Sequence, residues 1–199
     1  MGRKARRSDD DRILRVALEA MRSKWEYTSV QRQQATIALR NYETPEAIGT
    51  LIDALDDMDP AIRRTALQSL QYIGRPAAKL LLEALDHRKG TVRRGAAQVL
   101  GETRTLKASK PLQRIVLDDN DWSVRAAAAI ALGEIGDVKS IRALGLSLRD
   151  DTDYQVREAA ANGLGKIGGD KARKFLRRAL DDENQYVRVA AEIALERMF

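Results

Sequence analysis

The sequence predicts an all-α chain, a right-handed α-solenoid of about six helical pairs, and two observations carry that reading. The first is residues 120–137, NDWSVRAAAAIALGEIGD, which read as a capped helix with one apolar face of small residues. Asp121 can accept hydrogen bonds from the first free backbone amides. Val124, Ala128, Ala131, Leu132 and Ile135 recur at the helical period, and Gly136 stops the run. The second is a ruler of arginines. Arg32, Arg63, Arg93, Arg125, Arg157 and Arg188 follow one another at intervals of 31, 30, 32, 32 and 31 residues. Each lies three positions before an alanine (Ala35, Ala66, Ala96, Ala128, Ala160, Ala191) and seven before a leucine (Leu39, Leu70, Leu100, Leu132, Leu164, Leu195). A fixed period of this length is the mark of a repeat array, in which each unit buries its apolar face only against its neighbours.

In chain order, residues 1–8 carry Arg3, Lys4, Arg6 and Arg7 without apolar periodicity and are expected to form a disordered basic tail. A helix should open at Asp9–Asp11, whose carboxylates suit the positive end of its dipole, with Ile13, Val16, Ala17, Ala20 and Met21 as its apolar stripe. Trp25 and Tyr27 close this unit, and Thr28 or Ser29 can cap a second helix through Asn41. The repeats then fall at about 9–41, 45–74, 76–104, 107–136, 138–168 and 171–199. First helices are predicted over 45–55, 76–85, 107–117, 138–148 and 171–180. Second helices begin near Asp59, Gly90, Asp121, Asp153 and Asn184, the last running to Phe199. Pro45 and Pro76 suit helix starts, where the missing amide costs nothing. Pro111 predicts a kink or a late start.

Residues 9–199 should therefore form one continuous stack. The absence of cysteine excludes disulfides and thiolate chemistry, and His87 alone leaves almost nothing for histidine metal sites or proton transfer. No catalytic residues, metal or cofactor are expected. No apolar run approaches the roughly 20 residues of a membrane span, and a cytoplasmic location is expected. The net charge of +6 is unevenly spread. Residues 88–114 hold eight cations against Glu102 alone, and this basic waist, with Arg88, Lys89, Arg104, Lys107 and Lys110, could contact an anionic partner such as nucleic acid. The basic tail could do the same. Charged residues on a solenoid's outer face also serve plain solubility.

The pattern resembles the HEAT-repeat superfamily, and more narrowly the short HEAT-like repeats named after the phycobilisome lyases, of form D-x-x-V-R-x-x-A-A-x-A-L-G-x-I-G-D. Residues 121–137 match almost throughout, residues 153–168 well, and residues 59–74 and 184–195 less fully. Gln31 and Arg40 in the first repeat, and Thr103-Arg104 in the third, depart from the pattern, so those turns should differ in shape. The resemblance implies that the six arginines form a structural ladder bridging to acidic turn residues of the neighbouring repeat. It also implies two alternative functions, bilin attachment or removal on a phycobiliprotein and, through similarity to HEAT-like alkylpurine DNA glycosylases, nucleic-acid binding.

Function should lie where residues vary between repeats and face the concave side. Those positions give Gln33, Arg64, Gln68, Arg94 and Gln98 in the N-terminal half. In the C-terminal half they give Trp122, Ala126, Ile130, Tyr154, Glu158, Asn162, Tyr186 and Val189. The first set is polar and basic, and the second turns apolar and aromatic after Ala126, which argues against a DNA-binding face. Trp122, Tyr154 and Tyr186 would anchor a partner because rigid aromatics bury much area at low entropic cost. The same rings could instead pack on the next repeat as part of the stack. The expected function is a non-catalytic scaffold or assembly factor that binds another protein on its concave face. Val189, Ile193, Met198 and Phe199 leave an apolar last helix through which a homo-oligomer could form.

Overall fold

The computed structural model describes residues 2–23 and 25–198, with side chains from residue 9 onward. Helix α1 begins at Gly2, earlier than the expected opening at Asp9–Asp11, while the side chains of the basic segment 1–8 lie outside those described, as does Phe199. The packing divides into two compact units, Met1–Ala84 and Leu85–Phe199.

In the first unit, α1 (Gly2–Arg22) packs on α2 (Ser29–Leu39), and α2 packs in turn on α4 (Pro60–Ile73). Thr28 caps α2 through a reciprocal capping box with Gln31, which satisfies two end amides at once. Between them runs α3 (Pro45–Asp53), capped by Thr44 with Pro45 in its first turn, and it contacts α4 and α5 (Ala78–Ala84). Leu39, Leu51, Ile62, Leu70 and Leu81 are fully buried and form the core. Ser69 donates to the Thr36 carbonyl at 3.1 Å, tying α4 to α2 inside that core.

In the second unit, α6 (Gly90–Glu102), α8 (Trp122–Ile135), α10 (Tyr154–Ile167) and α12 (Gln185–Glu196) form one row, each packed on the next. The helices α7 (Ser109–Asp118), α9 (Ile141–Asp150) and α11 (Gly169–Ala179) form a second row behind them. A 3-10 turn precedes α7 and another precedes α9. The late start expected at Pro111 is seen, since α7 begins at Ser109 and holds the proline in its first turn, where no intrahelical donor is lost. Helix α12 ends at Glu196, short of the predicted Phe199.

Glycine explains how close the first row can pack. A methyl group added at Gly101 would stand 2.6 Å from the Ala131 backbone, one at Gly133 2.7 Å from the Gly163 backbone, and one at Gly165 2.6 Å from the Ala194 methyl. These glycines share one repeat position, so α6, α8, α10 and α12 meet backbone to backbone at the same height. In the first unit that position holds Arg40 and Gln71, and Arg40 instead lays its guanidinium over the Tyr72 ring at 4.9 Å. The turns show a second column. Gly74, Gly136 and Gly168 take positive φ, and Arg104, the one non-glycine among the described residues to do so, adopts φ 48° at the equivalent place. The third turn, expected to differ at Thr103-Arg104, thus keeps the positive φ of the glycine turns, whereas the first turn has no residue of positive φ and does differ.

Candidate functional site

In four of the six repeats the arginine sets the start of the next second helix. Arg93 donates from Nε and Nη2 to the Asp119 carboxylate, both at 2.7 Å, and Arg125 does the same to Asp151 at 2.7 and 2.9 Å. Arg157 grips Asp182 at 2.9 and 3.0 Å. Their Nη1 groups donate backward to the carbonyls of His87, Asp119 and Asp151. The gripped aspartates then accept the backbone N–H two residues on, of Asp121, Asp153 and Asn184, at 2.8 to 3.0 Å. Those residues are in turn the N-caps of α8, α10 and α12. In the first unit Arg32 pairs with Asp57, which holds the amide of the α4 cap, Asp59. Arg63 and Arg188 donate to the carbonyls of Asp57 and Met58, and of Asp182 and Glu183.

All six arginines thus direct their bonding into turns. The carboxylate hydrogen bonds hold Arg93, Arg125 and Arg157 above the ordinary arginine value, most through Asp119, Asp151 and Asp182 respectively. Asp121 lies below the usual carboxylate range, chiefly because the Ser123 hydroxyl donates to it. His87 stands in the register of Asp119. Its Nδ1 accepts the Lys89 amide at 3.1 Å, so it keeps the local turn but brings no carboxylate.

With the ladder occupied, the first row of the second unit offers an open groove of about 480 Å³ between α6 and α8. Trp122, at the N-terminal end of α8, and Ala126, Ala127 and Ile130 further along it form its apolar wall. Arg94 lies toward the N-terminal end of α6, while Glu102 and Glu134 lie toward the C-terminal ends of α6 and α8. The groove is therefore polarised along its length. Gln98 bridges the two regions by donating to Glu102 at 3.0 Å, and Lys166 of α10 pairs with Glu134. Arg94 makes no salt bridge among the described residues.

Trp122 is 43 % exposed and Ile130 50 %, so neither is sealed between helices. Tyr154 and Tyr186 lie outside this groove and stack on each other, with ring centroids 5.9 Å apart and planes 27° apart. Tyr186 sits one residue later in its repeat than Trp122 and Tyr154 do in theirs, yet its ring still reaches Tyr154. The two tyrosines do pack repeat to repeat, but they remain 38 % and 54 % exposed. Val189 and Ile193 continue an exposed apolar strip along α12. Glu158 is half-buried and Asn162 exposed on α10. In the first unit, Gln33 is half-buried and donates to Thr65 at 3.2 Å, whereas Arg64 and Gln68 are exposed on α4.

Glu102 and Glu134 were not among the sequence-derived candidates. Each follows a named groove residue, Gln98 or Ile130, by one helical turn, and extending the facing positions by four residues would have found them. The basic waist is not gathered into one patch. Arg88 and Lys89 precede α6, whereas Arg104, Lys107 and Lys110 follow it, at the other end of a helix about 20 Å long. Among the described residues no group of acidic, histidine or cysteine side chains could hold a metal ion, and no helix is long and apolar enough to cross a membrane.

A family model described as HEAT repeats matches residues 14–90, 79–160 and 116–196, together almost the whole chain. The chain belongs to the HEAT-repeat family. Among solved structures it is similar to the complex of CpcE and CpcF of phycocyanin lyase from Nostoc sp. PCC7120, at 24 % identity and TM-score 0.69, covering 74 % of this chain and 97 % of that one. It is also similar to Kap121p, at 15 % identity and TM-score 0.70, over 94 % of this chain but only 25 % of that one. A designed armadillo repeat protein in complex with the peptide (KR)4 gives 18 % identity and TM-score 0.56, over 92 % of this HEAT-repeat chain and 99 % of the design. These likenesses establish a repeat solenoid of the α class. A search of curated proteins found no match.

Proposed function

We propose that this HEAT-repeat protein is a non-catalytic binding module whose α6–α8 groove takes a segment of another protein. The single observation that carries this reading is an accessible aromatic, Trp122, in a groove that holds it beside a cation, Arg94, at one end and two carboxylates at the other. An apolar side chain of the bound segment would pack on Trp122, Ala126 and Ile130, an acidic one would meet Arg94, and a basic one would meet Glu102 and Glu134. Buried aromatics supply most of the energy in such contacts, while flanking charges set orientation and partner choice.

Peptide display on the intact protein, counter-selected on Trp122→Ala, tests this. Enriched peptides should carry an aromatic or aliphatic residue close to an acid, and a base further along, in one order only. Enrichment of peptides that bind Trp122→Ala equally well would remove the proposal.

A second reading, handling of a bilin chromophore, is favoured by the likeness to the phycocyanin lyase complex. Mixing the pure protein with a free bilin should then shift the bilin's visible absorbance, and an unchanged spectrum would dismiss it. For nucleic acid the supporting features are weaker, because the cations of residues 88–110 lie apart and the groove is apolar and acid-ended. A protein partner is the reading we adopt.

A further inference from the structure

The second row of helices carries a different cleft, of about 440 Å³, between the start of α9 and the face of α11. Its apolar surface is Val138, Ile141 and Phe175, and its rim is Lys139, Arg142, Lys171, Lys174 and Arg178. No acid lines it. Of the acids nearest in sequence, Asp137 accepts the Lys139 amide at 3.0 Å and Asp170 pairs with Arg173 at 3.2 Å, while Asp181 and Asp182, beyond Arg178, line an adjoining pocket on the far side of Phe175 and Arg178. The five rim cations make no salt bridge among the described residues. Phe175 is fixed in place, because its ring fills the space where a side chain on Gly145 would stand.

We propose that this cleft docks an acidic amphipathic peptide segment of a partner protein. An apolar side chain of that segment seats on Phe175 and Val138 while its carboxylates meet the rim. Charge complementarity argues for an acidic occupant, since five like charges around an apolar surface repel one another until an anion arrives. Their spacing argues for an elongated one. Lys171, Lys174 and Arg178 follow one another at i, i+3 and i+7 along α11, a row of about 10 Å. One carboxylate could engage only part of that row, whereas acids repeated along a peptide engage all of it. The apolar surface argues against a phosphate backbone, which offers nothing to bury there.

The test titrates the full protein with a labelled synthetic peptide bearing a leucine and phenylalanine stripe flanked by glutamates. The same peptide with glutamine for every glutamate, phosphatidylserine vesicles and single-stranded RNA are titrated in parallel. The glutamate peptide should bind at least about tenfold tighter than the glutamine peptide, and added salt should weaken it. Lys139→Glu with Lys174→Glu, both exposed positions, should abolish the difference while the circular dichroism spectrum stays unchanged. Trp122→Ala should leave this binding intact, which separates the cleft from the α6–α8 groove. Equal binding of the two peptides, no binding at low salt, or tighter binding to vesicles or RNA would each overturn the proposal.

Discussion

Replacing Gly133 by alanine tests how the repeat helices are held together. In an open helix the change should help, because alanine is better than glycine by about 0.8–1.0 kcal/mol. At Gly133 the new methyl would stand 2.7 Å from the Gly163 Cα, a backbone atom that cannot swing aside. Carbon atoms sit comfortably at about 3.5–4.0 Å, so α8 and α10 must separate by roughly 1 Å, and over-packing of this kind costs about 1–3 kcal/mol. The net expectation is a loss of about 1 kcal/mol, or a fall of about 2–4 °C in melting temperature for a chain of this size. Gly49 in α3 is the internal control, since nothing lies within 4 Å of a methyl placed there. Thermal and urea unfolding followed by circular dichroism should show Gly49→Ala gaining and Gly133→Ala losing. Equal gains at both sites would refute the close approach of the two helices.

Three further expectations follow from the turns. Asp151→Ala removes the partner of Arg125, leaves a guanidinium whose side chain is only 14 % exposed, and frees the Asp153 amide, at a cost of about 3 kcal/mol. Asp150→Ala breaks only the exposed, solvent-screened pair with Arg149 and should shift stability far less than Asp151→Ala. The two are compared by urea midpoints. Arg104→Gly relieves a side chain held at φ 48° and should raise the melting temperature, while a fall would mean that the arginine itself makes an essential contact. Asp59 and Asp121 both titrate below their usual value, held there first by the Ser29 and Ser123 hydroxyls. Their folded values lie under the unfolded ones, so their contribution is full above about pH 4 and is lost as pH falls through the folded values. Ser123→Ala should therefore flatten the acid limb of a stability-against-pH curve, and an unchanged limb would contradict this.

The fold was legible because its signal repeats. One arginine, one alanine and one leucine at a constant interval place every second helix, and the aspartates in the turns repeat at the same period. What the period does not reveal is which atoms touch. The sequence displays Gly101, Gly133 and Gly165, but only coordinates show each facing the backbone or methyl of the next helix. Single-repeat features were harder still. Glu102 and Glu134 enter the groove because they lie one helical turn beyond Gln98 and Ile130, a step that the facing positions did not include. The basic waist looked continuous in the chain because linear counting ignores that α6 holds its two ends apart. The reverse error hid the α9–α11 cleft. Lys139 and Lys174 are far apart in sequence, so their convergence depends on the stacking of two helices.

Trp122 itself supplies the most direct measurement of the groove. The other tryptophan, Trp25, is 97 % exposed, so Trp25→Phe should leave the fold intact and make the emission report on Trp122 alone. Titrating that variant with a display-selected peptide should shift the emission to the blue and saturate with the binding curve, as the indole leaves water for an apolar contact. An emission maximum that stays put while the peptide binds would show that the partner sits elsewhere and that the groove is not the binding site.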